Sequence, residues 1–88
     1  MKVKSDFVLK DVAGQSIVAP AGDASITFNA MITLNGSGAF LWRTLERGAS
    51  EEELVSALLA EYEVAEETAR NDVKKFIEKM REANLLDD

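Results

Sequence analysis

Apolar and polar positions change rhythm part-way along the chain. Before Asn35 they fall in short runs of strand type; after it they recur at spacings of three and four. Phe7-Val8-Leu9-Lys10-Asp11-Val12 has the partial alternation of a strand, and Ala13-Gly14 supplies a turn. Ser16-Ile17-Val18-Ala19 reads as a second strand, ended by Pro20-Ala21-Gly22-Asp23, where proline and glycine favour a turn. The two pair as a hairpin. In Ala24–Asn29, Ile26 and Phe28 alternate with Thr27 as in a strand, but Asn29-Ala30 reads as a bend, so this segment stays open between the two. Met31–Leu34 is a third strand. A lone hairpin is marginal in water, so the strands require helices packed on one face.

The second rhythm predicts three helices. Asn35 is placed to cap the first, over Gly36–Arg47, with Gly48 as its stop and Phe40, Leu41, Trp42 and Leu45 on the apolar side. Ser50 and Glu53 have the spacing of a capping box, which explains the acidic run Glu51-Glu52-Glu53 through capping and the helix dipole rather than through catalysis. Leu54, Leu58 and Tyr62 follow at intervals of four, with Val55 and Leu59 beside them. The third helix, Glu66–Ala83, carries the stripe Ala69, Val73, Phe76 and Met80 with Ile77 alongside. Asn84 suits its C-terminal cap, and Leu85-Leu86 are expected to fold back onto the core. The fold class is therefore α+β, strands first and helices after, in a single domain over 1–88.

Composition matters chiefly for what it removes. The 88 residues include no cysteine and no histidine, which excludes thiol nucleophiles, disulfides, imidazole bases and the common zinc sites. No EF-hand spacing or glycine-rich phosphate loop occurs, so no catalytic residue, metal or cofactor is expected. No apolar run reaches membrane-span length and the N-terminus lacks a signal-peptide core, which makes the cytoplasm the expected location. The net charge is −6. From Glu46 onward thirteen acidic residues face six basic ones, a poor balance for neutralising phosphates.

Several segments together resemble one family. Ile32-Thr33-Leu34-Asn35 with Gly38-Ala39-Phe40-Leu41-Trp42, then Gly48-Ala49-Ser50-Glu51-Glu52-Glu53-Leu54, then Leu58 to Tyr62 with Val64 and Glu67, and finally Asp72-Val73, Phe76 and Leu85-Leu86 are similar in order and separation to the PqqD family. That family is the founding example of the RiPP recognition element, the leader-binding module of ribosomally made, modified peptides. Gly36-Ser37, Ala65 and Asn84 depart from its common residues. Ala65 stands where an aspartate would cap the third helix, a loss of about 1 kcal/mol.

The resemblance implies a three-stranded antiparallel sheet on three helices, like a winged helix-turn-helix. It implies a non-catalytic adaptor that takes a precursor's leader as an added strand and presents the peptide to a modifying enzyme, such as a radical S-adenosylmethionine maturase. On this sequence the expected peptide-binding residues are Met31, Ile32, Thr33 and Leu34 on the third strand. On the third helix they are Arg70, Val73, Lys74, Ile77 and Arg81. Two plainer readings stand beside this. Ala24–Phe28 could cover the strand, and the basic positions could form a solvated face with Glu66–Arg70 and Glu78–Arg81 pairs. The rival functions are a winged-helix DNA-binding regulator and a structural or oligomerisation domain. Neither nucleic acid nor membrane is an expected partner.

Overall fold

A computed structural model of the protein describes residues 1–20 and 32–87. Its elements are β1 (Lys2–Val3), β2 (Phe7–Val12), β3 (Gln15–Pro20), β4 (Ile32–Leu34), α1 (Gly36–Glu46), α2 (Glu51–Glu61), α3 (Glu66–Glu82) and β5 (Leu86–Asp87). β2, β3 and β4 form an antiparallel sheet in that order, and the three helices follow it, so the α+β expectation is met. Ala24–Asn29 and Met31 lie outside the described residues.

The β2–β3 hairpin turns on Ala13 (φ 52°) and Gly14 (φ 80°), with Val12 opposite Gln15. A two-residue loop with both φ values positive has the twist that antiparallel strands need. Gly14 adopts it freely, whereas Ala13 bears the clash between its Cβ and the neighbouring carbonyl. Across the sheet, Val18 lies opposite both Leu9 and Ile32, and Ser16 opposite Leu34. By the two-residue period, Phe7, Leu9, Val18, Ile32 and Leu34 share the face that packs on the helices.

Under that face lies the core, built from Leu41, Trp42 and Leu45 of α1, Leu54, Val55 and Leu58 of α2, and Ala69, Val73, Phe76, Ile77 and Met80 of α3. Trp42 is fully buried. Tyr62, expected on the buried side of the second helix, instead caps it half-exposed. Its ring stands edge-on to Phe40 at 5.8 Å.

The caps follow the sequence closely. Asn35 Oδ1 accepts the Gly38 N–H at 2.8 Å, and the capping box is complete: Glu53 N donates to Ser50 Oγ, and Ser50 N to Glu53 Oε1. A Cβ at Gly38 would meet Asn35 Oδ1 at 3.1 Å and Leu34 Cβ at 3.3 Å, so the strand-to-helix corner has closed around the missing side chain. Ala65 takes the extended N-cap conformation but makes no side-chain capping bond. At the far end of α3, Asn84 (φ 60°) is the left-handed residue of a Schellman motif, with Leu85 N on Met80 O and Asn84 N on Arg81 O.

One feature of the termini was not read from the sequence. β1 pairs antiparallel with β5, matching Lys2 with Asp87 and Val3 with Leu86, while Ala49 N donates to Met1 O. Two-residue strands carry too little pattern to be recognised, and Met1–Ser5 alternates charge with only two apolar residues.

These local conflicts predict stabilising substitutions. Ala65→Asp supplies the missing cap of α3, and Ala13→Asn relieves the turn. Each should add about 1 kcal/mol to the unfolding free energy measured by urea titration.

Candidate functional site

β4 is the outer strand of the sheet among the described residues: β3 pairs with one of its sides, and no described strand pairs with the other. That free side faces α3. Lys79 Nζ lies 3.5 Å from the Thr33 carbonyl oxygen, at the outer limit of a hydrogen bond. Backbone groups of successive strand residues point to opposite sides, so the Thr33 N–H and C=O are directed outward while those of Ile32 and Leu34 are directed at β3.

Between this edge, the start of α1 and α3 runs an open groove of about 520 Å³. Leu34, Leu41 and Phe76, all nearly buried, give it an apolar floor. Thr33, Asn35 and Ser37 form one rim, and Asp72, Lys75 and Lys79 of α3 form the other. Positions 72, 75, 76 and 79 are spaced by three, one and three, which places them on one face of the helix.

Of the expected residues, Thr33 and Leu34 line the groove and Ile32 adjoins them, half-buried against the core. Met31 lies outside the described residues. The expected α3 residues are not in the groove. Val73 and Ile77 are buried in the core and are closed to an incoming side chain. Arg70 is turned to α2, where it binds Glu52, and also holds Glu66 at 2.9 Å. Lys74 is exposed outside the groove, and Arg81 Nη2 approaches the Met1 sulfur at 3.7 Å.

The difference between the expected residues and the groove lining is one of direction around α3. An amphipathic helix has two polar flanks, one on each side of its buried stripe. The Arg70, Lys74 and Arg81 flank faces α2, solvent and the N-terminus, while the Asp72, Lys75 and Lys79 flank faces β4. At 3.6 residues per turn the two are centred roughly half a turn apart. The α3 residues that do line the groove, and that the sequence reading did not name as binding residues, are Asp72, Lys75, Phe76 and Lys79. Their available signal was the Lys75–Lys79 pair bracketing Phe76 at the edge of the stripe.

Arg70 works as a clamp between α2 and α3. Its guanidinium donates to both Glu52 and Glu66. Hydrogen bonding and attraction from these carboxylates raise the Arg70 pKa. The same hydrogen bond and charge lower that of Glu52 below the usual carboxylate value. Glu53 is lowered as well, first by the Ser50 backbone N–H and then by the Ser50 hydroxyl.

Residues 7–86 match the model of the family described as coenzyme PQQ synthesis protein D (PqqD). The chain belongs to the PqqD family. Two solved structures share its fold. TbiB1 in complex with the TbiA(beta) leader peptide is 26% identical, with a TM-score of 0.78 over 99% of this chain and 95% of that one. Lasso peptide synthetase B1 complexed with the leader peptide is 18% identical, with a TM-score of 0.72 over 96% of this chain and 93% of that one, a likeness of fold alone. No curated protein matches. Among the described residues no group of carboxylates is arranged to hold a metal ion, and no helix is long and apolar enough to cross a membrane.

The Glu52–Arg70 clamp gives this PqqD-family chain a pH-dependent element. A carboxyl with a lowered folded-state pKa stabilises above its unfolded value, and that stability is lost as pH falls through the folded value. Glu52→Gln should therefore lower the urea midpoint at neutral pH. The difference from the parent chain should begin to shrink as pH falls past the ordinary carboxylate value of 4.5 and vanish once pH is below the lowered folded-state value.

Proposed function

We propose that this protein is a non-catalytic adaptor that binds the leader of a ribosomally made precursor peptide as an added strand on β4. The observation that carries the reading is the outward Thr33 backbone pair beside a groove with an apolar floor. Strand addition needs an edge with unpaired N–H and C=O groups, and pockets beside it for alternate side chains. Family membership and the likeness to TbiB1, itself in complex with a leader peptide, support it.

In this reading the protein acts by tethering. A leader held on β4 keeps the segment to be modified close to the enzyme, which makes the reaction effectively intramolecular at a raised local concentration. The chain's own chemistry suits recognition rather than catalysis, with neither histidine nor cysteine to supply a base or nucleophile. The partner would be a modifying enzyme, with a radical S-adenosylmethionine maturase the class suggested by the PqqD likeness. The encounter would take place in the cytoplasm, where the precursor is made. The DNA-binding rival is weakened by α3 itself. Its five basic residues are matched by five acidic ones and split between flanks, with Arg70 already engaged by two glutamates.

Titration of isotope-labelled protein with candidate leader peptides tests this. Amide shifts should concentrate at Ile32–Leu34 and on the Asp72–Lys79 face of α3. Thr33→Pro removes the outward N–H while leaving Ile32 and Leu34 to pair with β3. It should weaken leader binding about tenfold or more with little change in the unfolding midpoint. A bound leader whose shifts avoid β4, or one indifferent to Thr33→Pro, contradicts strand addition.

A further inference from the structure

The groove carries a charge opposite to that of the protein, and one of its lysines already rests on the atom a guest strand would use. The chain has net charge −6, yet the α3 rim of the groove has two lysines and one aspartate. Arg70 on the opposite flank is neutralised by Glu52 and Glu66, whereas Lys75 and Lys79 form no ion pair among the described residues.

Lys79 meets the Thr33 carbonyl at 3.5 Å, a long and exposed contact that is easily exchanged. A lysine laid over an outer strand blunts it against unwanted pairing. When a guest N–H takes the Thr33 carbonyl, the ammonium needs a new acceptor. Lys75 lies one turn earlier, and Phe76 presents an apolar surface between them.

We infer that the groove selects an acidic–apolar segment. An apolar side chain of the guest packs on Phe76, and its carboxylates pair with Lys79 and Lys75. Lys79 exchanges the Thr33 carbonyl for a guest carboxylate as the strand docks. Asp72 repels a carboxylate at its own end of the rim, so the acidic residues fall towards the C-terminal half of α3. This inference rests on the strand-addition reading, and it makes Lys75 and Lys79 specificity residues within it.

Its test uses the full chain and two synthetic peptides of equal length and identical apolar residues, one with flanking glutamates and the other with lysines. The acidic peptide should shift the Ile32–Leu34 amides and bind about tenfold tighter than the basic one, the sum of two exposed pairs gained or reversed. Lys79→Gln should cut that preference to about threefold. Lys74→Gln, the same charge loss outside the groove, should leave it near tenfold. Equal binding of both peptides with shifts at Ile32–Leu34 overturns charge selection while preserving strand addition. Neither peptide moving those amides overturns both. Equal effects of Lys74→Gln and Lys79→Gln overturn the local role of Lys79.

Discussion

Burial of the apolar stripe of α3 beneath the sheet and against α1 and α2 is the constraint on which the remaining structure depends. Ala69, Val73, Phe76, Ile77 and Met80 are all withdrawn from water, and apolar burial of this kind is the main favourable contribution to folding. Once the stripe is buried, the helix cannot rotate without exposing it, so its two polar flanks are assigned: one to α2 and the N-terminus, the other to the edge of β4. Phe76 belongs to both core and groove. The same contact that holds α3 in place therefore supplies the floor of the groove beside β4.

The core and the caps were legible because they rest on local chemistry. Asn35, Ser50 and Glu53 occupy positions where a side chain three residues away satisfies a backbone N–H, and the structure has those bonds. The stripe of α3 was legible from its period. The orientation of its flanks was not, because Arg70, Lys74 and Arg81 make as regular a basic face as Lys75 and Lys79. Periodicity defines what is buried, while the path of the chain before and after the helix decides which flank meets the sheet. The β1–β5 pairing escaped for a related reason, since contacts between chain ends leave no trace in local spacing.

The proposed site would join two unlike modes of recognition. In that reading the main-chain groups of Thr33 would pair with any extended peptide, whereas Phe76, Lys75 and Lys79 would respond to its side chains. Because β4 is only three residues long, its outward backbone contribution is small among the described residues, and in the proposed site selectivity would fall to the α3 rim. Arg70 is the contrasting case. Its charge is used internally to tie two helices together, which is why a basic residue on the same helix need not belong to the site.

The central claim, that β4 accepts a guest strand through Thr33, is tested most directly by amide hydrogen exchange with and without a bound leader peptide. In the free protein Ile32 and Leu34 should be protected by β3 and Thr33 should exchange rapidly. On binding, the Thr33 amide should become protected while its neighbours change little. A tightly bound leader that leaves Thr33 exchange unaltered would contradict the account.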